Sequence, residues 1–346
     1  MKIEALIEKA AGARASDVHL ACGLPPKVRL DGQLVDMEGE APLTDRDCEN
    51  LAAQLLGGAM PAMGERDLSL TLAGRRVRAN LYRQSGHVSC ALRILADVIP
   101  ALEKLGLPPA VEEFPALRRG IVLVTGETGS GKSTTLAAIL RRINETRRAH
   151  IITLEDPIEY VHTPDRCVID QREVGRDTAS YADGLRAILR EDPDVILIGE
   201  MRDLVTIETA LTAAETGHLV FATLHTNSAA DSIDRMVDVF PAERQRQIRM
   251  QLSMTLQAVL TQQLLPRRES GRVAACEVMV VTPAIRNLIR EGKTPQITNA
   301  VATSADRGSV TMDNAILKLY KDRLISAETA RQAAHDPEYV RKNTLF

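Results

Sequence analysis

Apolar positions fall into two different rhythms on either side of residue ~100. In the first part the apolar runs are short and cut by turn residues. Met1-Lys2-Ile3-Glu4-Ala5-Leu6-Ile7-Glu8-Lys9 has the spacing of an amphipathic helix, and Ser16-Asp17-Val18-His19-Leu20 and Lys27-Val28-Arg29-Leu30 predict strands. Asp31-Gly32 after the second strand invites a hairpin. A helix is predicted from Thr44 to Leu56, with Thr44 as N-cap and Asp47 three residues on. Strands resume at Asp67–Leu72, Arg75–Arg83 and His87–Leu95, separated by Gly74 and Gly86. Residues 1–96 thus read as a small α+β domain, and 97–112, punctuated by Pro108-Pro109, as a linker.

Over 113–346 the rhythm changes to β-branched runs near 121–125, 151–154, 195–198 and 219–223 that alternate with helical spacings. This is the βαβ pattern of an α/β domain with a mainly parallel sheet covered on both faces. Helices are predicted at 228–239, 241–263 and 284–290, with a hairpin turn at Arg267–Gly271 and a strand at Val273–Val281 between the last two. Two helices at about 311–322 and 326–334 follow, and the tail from Asp336 reads as loose.

Length and composition narrow this picture only modestly. At 346 residues two domains are expected, and 45% hydrophobic residues suffice to fill both. Lys+Arg at 43 against Asp+Glu at 46 leaves a net charge of -3, and aromatics are only 3%. Neither phosphate neutralisation nor base stacking is provided for, so no nucleic-acid partner is expected. The five cysteines form no C-x-x-C pair and read as buried small residues in a reducing compartment. No apolar run approaches the ~18–20 residues that span a bilayer, so a cytoplasmic protein is expected, reaching any membrane through partner proteins.

Candidate chemistry gathers at the ends of the long apolar runs, where α/β sheets place their catalytic groups. The first run leads into Gly126-Glu127-Thr128-Gly129-Ser130-Gly131-Lys132-Ser133, which matches G-x-x-x-x-G-K-[ST], and then into a helix with Leu136, Ile139, Leu140 and Ile143 on one face. Gly126, Gly129 and Gly131 let successive N–H groups converge on a phosphate, with Thr128 and Ser130 between them. Lys132 reaches the β- and γ-phosphates, the Ser133 hydroxyl ligates Mg²⁺, and Thr134 is placed for the α-phosphate. No Asn/Thr-Lys-x-Asp run marks guanine, so ATP is the expected nucleotide.

The second run ends in Glu155-Asp156-Pro157-Ile158-Glu159, three carboxylates suited to a Mg²⁺ shell or to orienting water, or else a solvated acidic loop. The third ends in Gly199-Glu200-Met201-Arg202-Asp203; Gly199 stands where a Walker B aspartate is usual, leaving Glu200 as the base for water. Thr216-Gly217-His218 and Thr223-Leu224-His225-Thr226 bracket the fourth run, so His218 and His225 are candidates for γ-phosphate sensing, against the plainer reading of satisfied structural histidines. Arg78, Arg83 and Arg93 have two readings, solvated strand-face charges or arginine fingers for a nucleotide held elsewhere.

Taken in order, Gly126–Ser133, Glu155–Glu159, Gly199–Asp203 and Thr216–Thr226 resemble the Walker A, Asp-box, atypical Walker B and His-box segments of the type II/IV secretion ATPase family. Ser16–Leu20 is similar to that family's N-terminal opening, and Ala284-Ile285-Arg286-Asn287-Leu288 to a motif of its type IV pilus retraction branch. The resemblance implies a PAS-like N-terminal domain, a RecA-like ATPase domain and a homohexameric ring with ATP and Mg²⁺ at the junction of the two domains. It carries Lys132, Ser133 and Thr134 over to phosphate binding, Glu155, Glu159 and Glu200 to metal and water, and His218 and His225 to the His box. Arg78, Arg83 and Arg93 fall in the region from which the family supplies charge to the nucleotide.

The activity so implied is ATP hydrolysis that rotates the domains about the linker and powers pilus retraction, the basis of twitching motility. The motor would be cytoplasmic, peripheral to the inner membrane through a pilus platform protein, and would act indirectly on pilin. Arg286, Asn287 and Arg290 would form the outward face toward the platform. Assembly ATPases usually carry an extra N-terminal domain and a tetracysteine site, and neither is seen in this sequence. Pilus assembly or type II secretion within the same family is the alternative, ahead of a nucleic-acid translocase or a regulatory nucleotide switch.

Overall fold

The computed structural model describes residues 2–30, 32–95 and 98–344. The chain divides into two compact units, Met1–Val98 with Glu159–Val161, and Ile99–Ile158 with His162–Phe346. The expected boundary at 96/97 falls on residues outside the described ones, as does Asp31 of the expected hairpin turn.

In the N-terminal unit, α1 (Ile3–Gly12) is followed by β1 (Asp17–Leu20), β2 (Lys27–Leu30), β3 (Gln33–Asp36), α2 (Asp45–Leu56), β4 (Arg66–Leu72), β5 (Arg75–Gln84) and β6 (His87–Ile94). The strands form one sheet in the order β3-β2-β1-β6-β5-β4, with every neighbouring pair antiparallel. Along β5 the alternation Val77, Ala79, Leu81 buries one face, which shares a core with Ile3, Leu6 and Ile7 of α1 and Leu51, Ala52 and Leu55 of α2. The start of α2 is fixed by a capping box in which Thr44 and Asp47 satisfy each other's backbone N–H.

The C-terminal unit opens with two 3-10 segments, Leu102–Leu105 and Pro109–Ala116. Leu102, Val111 and Phe114 from this stretch, read in part as linker, are buried in the unit's core. Then come β7 (Gly120–Thr125), α3 (Lys132–Thr146), β8 (His150–Glu155), β9 (Val168–Glu173), α4 (Tyr181–Ile188), β10 (Val195–Ile198), α5 (Leu204–Glu215), β11 (Leu219–Leu224), α6 (Ala229–Asp238) and α7 (Ala242–Thr255). The chain ends with β12 (Leu256–Pro266), β13 (Arg272–Val280), α8 (Pro283–Glu291), α9 (Ile297–Ala302), α10 (Met312–Lys321), α11 (Ala327–Ala333) and α12 (Pro337–Asn343).

Seven strands form a mixed sheet in the order β13-β12-β7-β11-β10-β8-β9, parallel except for β13 at one edge. The β-branched runs are explained by double-sided burial. Ile121, Leu123, Ile196 and Val220 pack against residues of α4 to α7, while Val122, Val124, Leu197 and Phe221 pack against α3 and the 3-10 segments. Each such side chain taken fully out of water contributes about 1.5–3 kcal/mol.

Two expectations are corrected here. The helix predicted over 241–263 stops at Thr255, and from Leu256 the chain is a strand between β7 and β13. The tail from Asp336 is ordered as α12, with Asp336 as N-cap and Pro337 in the first turn. Among the described residues no helix is long and apolar enough to cross a membrane.

One buried carboxyl group ties distant parts of this unit together. Glu277 of β13, 5% exposed, accepts the backbone N–H of Ala229 at 2.7 Å and of Met312 at 3.3 Å, the first residues of α6 and α10. Burial pushes its carboxyl above the usual glutamate range.

Candidate active site at the carboxyl edge of the sheet

β7 ends at Thr125 and the chain turns through Gly126–Gly131 into α3. Gly126 has φ 135, and a Cβ there would lie 2.3 Å from the Gln262 carbonyl oxygen and 2.7 Å from Ser130 Oγ, so the turn admits only glycine. Gly131 stands at the N-cap of α3 with φ 94 and offers no side-chain cap, which leaves the first N–H groups of the helix for an anion. Lys132 is buried and its ammonium donates to the carbonyls of Gly126 at 2.6 Å and Glu127 at 2.9 Å. Ser130 Oγ is buried without a hydrogen-bond partner, and Ser133 and Thr134 are half-buried in the first turn of α3. A hydroxyl pair, Thr125 Oγ1 to Thr261 Oγ1 at 2.8 Å, fastens the base of the loop to β12.

Strand register decides which other groups reach this edge. Thr125 lies opposite Leu224, so His225 emerges beside Gly126. Ile198 lies opposite both Ala222 and Leu154, so the segment carrying Glu200 emerges between His225 and Glu155. Glu200 is 3.3 Å from His225 Nε2 and 2.6 Å from Arg202 Nη2. Burial pushes its carboxyl up, but the Arg202 hydrogen bond and the charges of His225 and Arg202 outweigh that and hold it below the usual range. It stays an ionised acceptor. Glu155 Oε1 accepts from Thr153 Oγ1 at 2.6 Å and from Gln171 Nε2 at 3.2 Å. Asp203 caps α5 through Thr206 N–H at 2.9 Å, a local role.

Gly199 has a steric reason. A Cβ at this position would lie 2.9 Å from the Tyr181 hydroxyl and 3.1 Å from the Leu154 carbonyl oxygen, so the aspartate that Walker B segments usually carry would fit only if these neighbours gave way. Burial, followed by the carboxylates of Asp156, Glu200 and Glu155, pushes the Tyr181 hydroxyl above the usual tyrosine range. Sequence reading missed Tyr181, because its only local signal is the Ser180 N-cap that starts α4.

His218 does not join these groups. Leu219 pairs with Gly120, which puts His218 at the amino end of β11, roughly 20 Å of strand from His225. Its Nδ1 meets the Ala213 carbonyl at 2.9 Å and Thr216 Oγ1 at 3.1 Å. The expectation that His218 rings the phosphate with the others is corrected by strand direction. Glu159 belongs to the segment Glu159–Val161, which is part of the N-terminal unit. Within that unit Arg83 donates to the Pro61 carbonyl at 2.8 Å and pairs with Glu49 at 3.1 Å, and Arg93 pairs with Asp17 at 2.9 Å. Arg78 is exposed on β5, opposite Ser69 and Arg93.

On α8, Ile285 and Ile289 are buried as the spacing predicts. Arg286, however, donates to the carbonyls of Ser253 at 2.7 Å and Met254 at 3.1 Å, closing the C-terminal end of α7 rather than facing outward. Asn287 and Arg290 keep the outer side, linked to each other at 2.5 Å.

The family model described as type II/IV secretion system protein matches residues 88–331. The type IV pilus retraction ATPase PilT of Pseudomonas aeruginosa is 47% identical over 343 residues, 98% of this chain and 99% of that one. A twitching motility protein of Neisseria gonorrhoeae is 49% identical over 264 residues, 76% of this chain and 71% of its own. The crystal structure of the pilus retraction motor PilT with bound ADP superposes with a TM-score of 0.91 at 46% identity, covering 99% of both chains.

Proposed function

The chain belongs to the type II/IV secretion system protein family, and from that premise we propose that it is an ATP-hydrolysing motor of type IV pilus retraction. The observation that carries this reading is the match to a retraction ATPase from end to end, at 47% identity and with 99% of that relative covered. The carboxyl edge of the sheet supplies chemistry of the right kind. The Gly126–Gly131 turn and the start of α3 bind phosphate, Lys132 exchanges its loop carbonyls for phosphate oxygens, and Glu200, held ionised, accepts the proton of the attacking water. His225, against Glu200, senses whether the terminal phosphate is in place.

The oxygen donors of Ser133, Glu155 and Glu200 suit a hard divalent cation, and the unpartnered Ser130 Oγ is a further polar atom suited to a ligand. These residues would hold Mg²⁺, which neutralises phosphate charge when bound. In this reading the C-terminal unit is RecA-like and the N-terminal unit PAS-like, and six chains form the ring. One or more of Arg78, Arg83 and Arg93 supplies charge to the nucleotide. The outer side of α8, reduced to Asn287 and Arg290, meets the membrane platform protein.

Deleting the gene and counting surface pili tests the assignment. A retraction motor leaves cells with fibres that extend and remain, and without twitching. Loss of surface fibres would instead indicate an assembly motor and overturn the proposal.

A further inference from the structure

Three segments of the N-terminal unit bring one sulfur, one imidazole and one carboxylate to a single point: the ligand atoms of Cys22, Asp45 and His87 all lie within 4.8 Å of one another. Each segment is held by its own backbone. Cys22 sits two residues past β1 in a loop pinned by Gly23 N–H to the Leu43 carbonyl at 2.8 Å and by Leu43 N–H to the Leu24 carbonyl at 2.9 Å. Asp45 is the first residue of α2, whose start the Thr44–Asp47 capping box fixes. His87 is the first residue of β6, set by a two-residue turn in which Ser85 and Gly86 have φ 50 and 85 and Gln84 faces His87 across the hairpin. Asp45 Oδ1 already meets His87 Nδ1 at 2.8 Å.

We propose that Cys22, Asp45 and His87 form a transition-metal site that takes Zn²⁺, with water in the fourth position. Zinc bonds of about 2.3 Å to sulfur and about 2.0–2.1 Å to nitrogen and oxygen put tetrahedral ligand atoms about 3.4–3.6 Å apart. With the three ligand atoms already within 4.8 Å of one another, rotation of the side chains is what brings them to that separation. On binding, the Cys22 thiol gives its proton to solvent as the sulfur–metal bond forms, the imidazole enters as the neutral base, and the Asp45–His87 hydrogen bond is exchanged for two metal bonds. The thiolate discriminates against Mg²⁺, which prefers oxygen donors, so nucleotide-bound magnesium does not compete. Neighbouring Cys48 and Cys90 stay protonated, their thiols pushed up by burial to about 11 and about 12. The ion would staple the β1–β2 loop, the start of α2 and the β5–β6 hairpin to one another.

Co²⁺ titration of the full-length, metal-stripped chain provides the test, because a cobalt–thiolate charge-transfer band in the near ultraviolet can arise only at a cysteine. None of the groups gathered at the nucleotide edge is a thiol. The expected result is one band-forming equivalent per chain, displaced by Zn²⁺, absent in Cys22→Ser and weakened about tenfold or more in His87→Ala. ATP turnover is unchanged in both variants. A band of equal affinity in His87→Ala, meaning an adventitious surface thiol, would overturn the proposal. So would a band that persists in Cys22→Ser, or none at millimolar Co²⁺ in the unmodified chain.

Discussion

The parallel strands of the C-terminal unit end at two edges of one sheet, and the two differ in how their polar groups are arranged. At the carboxyl edge β7, β8, β10 and β11 end in groups that face one another, with Glu200 between His225 and Arg202 and the Gly126–Gly131 loop alongside. At the amino edge the polar groups are consumed locally: His218 is spent on the Ala213 carbonyl and Thr216, and the His150 backbone N–H on the Asp194 carboxylate at 2.8 Å. Both edges carry histidine and acid, so residue type does not separate them. What separates them is chain direction, since loops leaving the carboxyl ends enter helices at their N-termini, where partial positive charge accumulates.

The sharpest way to break this contrast is at Glu200. Glu200→Gln keeps the shape of the edge and removes the proposed base, and turnover is expected to fall about 10²–10⁴-fold while a fluorescent ATP analogue still binds. Normal hydrolysis would remove Glu200 from the mechanism. Next in size is the crowding behind it. Gly199→Ala drives a Cβ against the Tyr181 hydroxyl and the Leu154 carbonyl, with an expected loss of about 1–3 kcal/mol in denaturant unfolding. Tyr181→Phe in the same chain should restore part of that loss, and no restoration would mean that the Leu154 carbonyl alone sets the limit. The smallest effect separates the two histidines. His225→Ala is expected to change analogue affinity about tenfold, whereas His218→Ala leaves it within about twofold and lowers the melting temperature instead. Equal effects on affinity would erase the distinction between the edges.

Much of this was legible beforehand, and the failures have physical causes. The β7–loop–α3 unit is local, and its glycines, lysine and helical face follow one another in the chain, so the pattern carries its own confirmation. Sequence reading anticipated His225 beside the β7 strand because β11 is a continuous apolar run, and the register bears that neighbourhood out. β12 was hidden because Ala242–Pro266 contains no breaker near Thr255, where helix gives way to strand. The strand exists because β7 needs a hydrogen-bonding neighbour on its other side, a tertiary demand that overrides local preference. Tyr181 against Gly199, and Arg286 against the end of α7, are likewise meetings of segments 18 or more residues apart that no local signal announces. The α12 cap was a different kind of miss, because Asp336-Pro337 is itself a helix-start signal.

Glu277 leaves a last mechanical consequence. A single carboxylate serves as the shared anchor for the leading turns of α6 and α10, whose first residues are 48 and 35 positions away from it in the chain. Neither helix can slide along its axis without withdrawing from that anchor and leaving a buried carboxyl short of a hydrogen bond. The turn that bears His225 runs directly into α6, so the carboxyl edge of the sheet and the C-terminal helices meet at this one side chain.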